Sequence, residues 1–432
     1  MPANTQDFVA NLPTLDAAGV THEKRAQAYL ASRIEAEPYG YMPFEQWMDL
    51  ALYAPELGYY AGGSEKLGTG SAQGDFVTAP ELSPLFGQTV ALQVAQVLRA
   101  SGSTHVLEFG AGSGALAASV IPALRAKGIA PTYHILDVSA NLRERQRQRL
   151  APFGQCVRWL DTLPDTFSGC VLANEVLDAM PVTLFRWADD GTVLELGVSL
   201  SHDRSAGHEI SFRRRHSGGI EASLGRTPID DATPPPDQRT PFVLTEKAAP
   251  PELRRLVMQR MPAMPGYQSE INRRGEAWMR QLGAWLERGA ALIIDYGFPR
   301  HEYYHPQRDG GTLMCHFRHR AHDRPLILAG LQDITAHVDF TAMADAALEG
   351  GLDVLGYTSQ ARFLLNAGLT TVIEDRRSAD SGDSTRRAAE LAAVQQLVSE
   401  AEMGELFKVL AVGRGLDTTL LGFTAGDRRN RL

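Results

Sequence analysis

Apolar residues along the chain recur with two different periods. Spacings of three and four predict helices over residues 21–35, 44–52 and 84–99, with Pro80 and Pro84 fixing turns before the last. From residue 105 the pattern becomes short apolar runs alternating with helical stretches. HVLEF (105–109) predicts a buried strand, 115–126 a helix, TYHILDV (132–138) a strand and 140–150 a helix. CVRWL (156–160) is a third strand, and GCVLANEV (169–176) a fourth that ends in polar residues. Strands alternating with helices predict a parallel sheet covered on both faces.

The alternation stops near residue 183. TLFRWAD, TVLELGVSL and HEISFRRR (183–189, 192–200 and 208–215) predict two or three strands, and the low-complexity TPPPDQRTP (233–241) follows. Beyond it, the pattern predicts a helix over 269–287, the buried strand ALIIDYG (291–297) and a helix after Asp339. A strand over 352–357, a helix over 388–399 and a strand over 405–413 complete it. No internal repeat is visible.

With 432 residues, the chain is long enough for two domains or for one large domain with insertions. A net charge of -9 argues against general affinity for nucleic acid or an anionic membrane. Arg143, Arg145, Arg147 and Arg149 are spaced as the solvated part of a helix. Cys156, Cys170 and Cys315 lie far apart with no CxxC pair, which points to a reducing compartment. The first residues carry no basic-then-apolar signal pattern, and no run approaches the roughly 18 apolar residues of a membrane span. The expectation is a soluble, cytoplasmic protein. His316, His319 and His322 recur every third residue, but the interleaved Arg318, Arg320 and Arg324 oppose a cation, so no metal is expected. The sequence carries no G-x-S-x-G elbow and no phosphate-binding G-x-x-x-x-G-K-[ST] loop.

The chemistry concentrates at VLEFGAGSGAL (106–116), a glycine loop between a strand and a helix. Such a loop brings a ligand to bare backbone over the positive helix N-terminus. Gly110-x-Gly112-x-x-Ala115 fits a dinucleotide fingerprint, whereas Glu108-x-Gly110-x-Gly112-x-Gly114 fits a loop holding S-adenosylmethionine. Glu108 favours the second reading, because an acid there repels a pyrophosphate and suits an ammonium or sulfonium. Asp137, ending the second strand, could accept from ribose hydroxyls in either case or cap the next helix, and Asp161, after the third strand, could accept from an adenine amino group or stand as a surface turn residue. Asn174, Glu175 and Asp178 place an amide and two carboxylates at the end of the fourth strand, the edge where open α/β sheets bind ligands. Carboxylates there could grip a guanidinium nucleophile.

Seven blocks in order, GDFVTAPELSPLFG, LEFGAGSGALA, ANEVLDAMPV, LIIDYG, GTLMCHFRHRAH, LQDITAHVDF and ELFKVLAVG, resemble those of the MidA-like S-adenosylmethionine-dependent methyltransferases. This is the family of the mitochondrial complex I assembly-factor arginine methyltransferase. The resemblance covers about residues 40 to 415. It implies an α/β, Rossmann-like class I core with a seven-stranded, mostly parallel sheet. It also implies an order of parts: a helical segment with a cofactor-covering loop (1–100), half of the core (101–182), a β-rich insertion with a flexible tip (183–268) and the second half with substrate-side loops (269–432). By matching motifs, Glu108, Gly110 and Gly112 would meet the methionine part, Asp137 the ribose and Asp161 the adenine end, with Gly114, Val138 and Leu163 also at the cofactor. Phe76, Thr78 and Pro80 would close over the cofactor, Asn174, Glu175 and Asp178 would border methyl transfer, and Asp295, Tyr296, His337 and Asp339 would line the acceptor side. Val176 and Leu177 stand where mitochondrial-type members tend to carry aromatic residues, so the acceptor wall is expected to differ. The implied function is methyl transfer to a protein side chain, with arginine as the candidate and a respiratory-complex subunit as the candidate partner. S-adenosylhomocysteine is the product. The rival readings are a nicotinamide-dependent oxidoreductase and a non-catalytic assembly factor that keeps the cofactor fold.

Overall fold

A computed structural model describes residues 12–62, 78–201, 240–379 and 384–432. Its chain divides into two compact units. The larger comprises Gly63–Met180, Asn272–Arg300 and His337–Leu432. It is built on seven strands: β1 (His105–Phe109), β2 (Thr132–Leu136), β3 (Val157–Leu160), β4 (Phe167–Asn174), β5 (Leu286–Phe298), β6 (Asp353–Ser359) and β7 (Phe407–Arg414). Their spatial order is β3-β2-β1-β4-β5-β7-β6. Strands β1 to β5 pair in parallel, and β7 runs antiparallel to both β5 and β6. The two-residue strand Val338–Asp339 adds a short parallel pairing at the end of β5. This is the seven-stranded, mostly parallel sheet expected from the sequence.

Strand periodicity sends alternate residues to opposite faces. Val106, Tyr133, Leu172, Ile294 and Val409 pack on one side with the apolar residues of α2 (Pro84–Ser101) and α3 (Ala115–Ala126). Leu107, Val171, Ile293 and Leu410 pack on the other with α5 (Arg273–Trp285) and α6 (Phe340–Glu349). The short helix α1 (Ala79–Leu82) precedes α2, and α4 (Ala140–Leu150) follows β2. Helix α2 starts on Ser83, whose hydroxyl accepts from Leu85 N, and stops at Gly102 in the left-handed conformation.

The expected helix over 269–287 is corrected. Gln268–Ile271 is a strand, and α5 begins only at Arg273, because Asn272 caps it through a 2.7 Å bond from Gly275 N. Strand β5 correspondingly starts at Leu286, where its pairing with β4 begins at Phe167.

The smaller unit comprises Met1–Gly62, Pro181–Ile271 and His301–Ala336. Five antiparallel strands form its main sheet: Met42–Pro43, Thr183–Trp187, Val193–Leu200, Phe242–Ala248 and Gln268–Ile271. Helices Ala17–Glu35 and Phe44–Tyr53 supply Leu30, Ile34, Phe44 and Trp47 to its core. A separate three-stranded sheet carries His316 and His322 on paired strands, with His319 in the exposed turn between them. The expected order of parts is therefore redrawn. The segment 1–100 is split, its first 62 residues joining the β-rich insertion, and residues 301–336 leave the second half of the core for the same unit. The expected strand over 208–215 and the segment 216–239 lie outside the described residues. Among the described residues no helix is long and apolar enough to cross a membrane.

Candidate active site

Every described residue expected at the site falls in the larger unit, and all but Thr78 and Pro80, which begin α1, lie toward the carboxyl ends of its strands or in the segments that follow them. Strand β1 ends on Phe109, and the chain then turns through Gly110, Gly112 and Gly114 with φ of 58°, 54° and 84° before entering α3. These are left-handed conformations that an L side chain adopts only with strain. At Gly110 a Cβ would also stand 3.2 Å from Val176 Cγ2. The backbone here is bare because the fold requires it, and it opens onto a helix N-terminus.

Glu108 lies beneath this loop rather than in the open. It is buried, and Tyr133 Oη donates to its Oε2 at 2.7 Å. Burial pushes its carboxyl up to about 7, against the opposing effect of the Tyr133 bond. Asp137 accepts from Ser139 N at 2.9 Å and from Gln146 Nε2 at 2.8 Å. Burial raises its pKa, and those donors oppose the shift. The adjoining Val138 is apolar and 77% exposed at the mouth of the same strand end.

Gln146 was not singled out in the sequence. It is fully buried, and its amide bridges Gly112 O (2.9 Å), Asp137 and the Trp159 indole N–H (2.9 Å), welding the glycine loop to the acid that follows β2. Its one signal was an uncharged amide inside an arginine-rich helix. Arg149 of the same helix forms a two-pronged ion pair with Glu81 of α1, and both meet Ser113 of the glycine loop. This pairing carries the α1 segment, with Thr78 at its cap and Pro80 in its first turn, onto the loop. Phe76 lies outside the described residues. Asp161 differs from expectation: its side chain is 83% exposed and paired with Arg143 at 2.8 Å. Leu163 is half-buried against the apolar cluster beneath the sheet.

At the end of β4, Glu175 is itself left-handed, at φ 54°. Asn174 Nδ2 donates to Glu175 Oε1 at 3.0 Å, and Tyr296 Oη reaches Oε2 at 3.4 Å. The Tyr296 ring packs edge-on against Phe407, and His337 stands 5.9 Å from it. Asp178 is buried and also meets the Tyr296 hydroxyl. Among the described residues, Asn174 Oδ1 and Asp178 Oδ1 are buried without a hydrogen-bond partner.

Two expected acceptor-side residues are corrected. Asp295 is fully buried, and its carboxylate is turned onto the backbone amides of residues 176–178. Asp339 caps α6 through Ala342 N and pairs with Arg300. Burial raises both Asp178 and Asp295; repulsion from Glu175 adds to the shift at Asp178, which is pushed up to about 8, and repulsion from Asp178 and Glu175 adds to that at Asp295. The amides of Leu177 and Asp178 oppose the shift at Asp295.

The sequence profile of a family described as S-adenosyl-L-methionine-dependent methyltransferases matches residues 89–358. The chain belongs to that family. A crystal structure of a Burkholderia thailandensis protein bound to S-adenosyl-homocysteine is 44% identical to this methyltransferase, with a TM-score of 0.83, and the match covers 98% of this chain and 100% of that one. A protein arginine methyltransferase NDUFAF7 homolog of Drosophila melanogaster is 27% identical over 87% of this chain and 82% of its own length. Mouse NDUFAF7, likewise named a protein arginine methyltransferase, is 27% identical over 85% and 80%. Both are named mitochondrial, which gives no support to the cytoplasmic placement expected from the sequence. The cofactor of this methyltransferase is S-adenosylmethionine, and the residues present fit it. The bare glycine backbone would admit the amino-acid end, Asp137 would keep acceptor capacity for ribose hydroxyls, and exposed Val138 would offer an apolar surface to the cofactor. The oxidoreductase reading falls with the family match.

Proposed function

We propose that the methyl acceptor is the guanidinium of an arginine in a protein substrate. The observation that carries this reading is the set of acceptors at the end of β4. Among the described residues, Asn174 Oδ1 and Asp178 Oδ1 are buried without partners, beside the Glu175 carboxylate. Buried polar atoms are normally satisfied, so two orphaned acceptors call for a ligand rich in donors. A guanidinium carries five N–H donors and no acceptor. The names of the fly and mouse relatives support the same choice. A respiratory-complex subunit is the candidate substrate, supported by the family resemblance.

The bound cofactor supplies an electrophilic methyl group. Glu175 and Asn174 hold the guanidinium so that one nitrogen faces the glycine loop, and positioning of this kind accounts for much of the rate of a direct displacement. Glu175 Oε1 and Oε2 localise the guanidinium charge and accept the proton that leaves the attacking nitrogen. Tyr296 fixes the Glu175 rotamer from the β5 side.

The test is transfer of labelled methyl from S-adenosylmethionine to a lysate lacking the enzyme, followed by hydrolysis and amino-acid analysis. Label in methylarginine, reduced about a hundredfold by Glu175→Gln with S-adenosylhomocysteine binding retained, is the expected result. Label in any other residue overturns the arginine assignment.

A further inference from the structure

Glu175 occupies a conformation that nothing in its own chemistry favours. A glutamate at φ 54° is strained by about 1–2 kcal/mol, and such strain persists only where the surroundings over-determine it. Three contacts do so. Glu175 N donates to Ile294 O at 2.8 Å, which ties it to β5. Asn272 Nδ2 donates to Leu177 O at 2.7 Å. The third contact is larger. Asp295 Oδ2 accepts from Val176 N (3.2 Å), Leu177 N (2.9 Å) and Asp178 N (3.3 Å), while Oδ1 accepts from Tyr296 N (2.9 Å).

Three successive amides converging on one oxygen form an anion-binding concavity, and here a side chain of the same protein fills it. Asp295 is not exposed at all, so it is not available to an acceptor. A buried carboxylate is costly, and an apolar residue at this position would fill the sheet as well as its neighbours Ile293 and Ile294 do. Its partners are the three residues that follow Glu175 and the tyrosine that touches the Glu175 carboxylate.

We propose that Asp295 is the positioning residue of the acceptor site: it clamps the 176–178 turn and the Tyr296 backbone together, and so holds Glu175 left-handed with its carboxylate aimed at the acceptor. The proposal rests on the acceptor reading above for what Glu175 grips, but not for the clamp itself. The charged and titratable groups around the clamp are Glu175, Asp178 and the Tyr296 phenol. His337 lies against the Tyr296 ring, and Lys408 stands opposite Asp295 in the β5–β7 register, with its ammonium turned to the Glu405 and Leu406 carbonyls.

Two variants separate the parts of the clamp. Asp295→Asn keeps an oxygen for the three amides and loses the one that accepts from Tyr296 N. Asp295→Ala removes both. The readouts are S-adenosylhomocysteine binding by calorimetry, the Glu175 backbone in a crystal structure, and labelled methyl transfer to the lysate. Both variants are expected to bind S-adenosylhomocysteine as the parent does, which also shows that they fold. Asp295→Ala should release Glu175 to negative φ and lower methyl transfer about a hundredfold. Asp295→Asn should keep φ positive and recover most of the transfer lost in Asp295→Ala. A structure of Asp295→Ala with Glu175 still left-handed overturns the clamp, as does one of Asp295→Asn in which the side-chain oxygen still meets the three amides but Glu175 has left positive φ. If Asp295→Ala does not fold, the Glu175 backbone of Asp295→Asn decides alone. Loss of label from arginine in the parent enzyme would overturn the acceptor assignment, while the φ results would still decide the clamp.

Discussion

Gln146→Leu is the substitution that bears most directly on how the cofactor loop is built. Leucine has nearly the volume of glutamine, so the packing of α4 is retained and only the amide is lost. Three groups then lose a partner: Gly112 O, Asp137 Oδ2 and the Trp159 indole N–H. A buried polar group left without a partner costs about 1–3 kcal/mol. Trp159 is only half-buried and water relieves it, so the cost falls on the Gly112 carbonyl and the buried Asp137 carboxylate, about 2–6 kcal/mol together. Some of this appears as lower stability. The remainder appears as weaker binding, because the cofactor must re-order a loop that Gln146 no longer holds. At about 1.4 kcal/mol per tenfold, S-adenosylhomocysteine affinity should fall by tenfold or more. The loss should deepen as pH falls, because Asp137 also loses a donor that favours its charged form. Calorimetric titration and the urea midpoint measure the two parts. If Gln146→Leu leaves both unchanged, the bridge from Gly112 to Asp137 does not hold the loop.

Two further expectations follow from the same unit. Gly110→Ala places a Cβ at φ 58° and 3.2 Å from Val176 Cγ2, which costs about 1–2 kcal/mol and should weaken S-adenosylhomocysteine binding about tenfold by titration; full affinity would refute the need for bare backbone there. Glu108 has a pKa raised by burial from 4.5 to about 7, so the folded state binds this proton more tightly than the unfolded one. Stability from this group is therefore present below 4.5 and is lost as pH rises through about 7. Glu108→Gln should flatten that part of the urea-midpoint profile while keeping an acceptor for Tyr133, and an unchanged slope would count against the assignment.

The sheet was legible because its strands are short continuous apolar runs between helical stretches, and such runs demand burial on both faces. HVLEF, the helix over 115–126 and the helix over 140–150 fall where the pattern puts them. The pattern failed at 269–287, where local apolar periodicity runs through Asn272. Only the capping bond from Gly275 and the pairing of Gln268–Ile271 with Thr183–Trp187 show that two elements meet there. The grouping of residues 301–336 with the N-terminal segment was equally hidden, since it depends on pairings remote in sequence.

The site divides along the same line. Residue type and spacing singled out the glycine loop, Asp137 and the Asn174–Glu175–Asp178 group as candidates, because each stands at a strand end where open α/β sheets bind ligands. The roles of Gln146, Arg149 and Asp295 depended on partners between 9 and 119 residues away in sequence. By itself the sequence determined the order of elements, the glycine loop after the first strand and the acids at the strand ends. Tertiary structure alone decided which carboxylate is spent on backbone amides, because that depends on burial and on donors supplied by other strands. Asp295 and Glu175 look alike as acids at strand ends, and only the amides of residues 176–178 tell them apart.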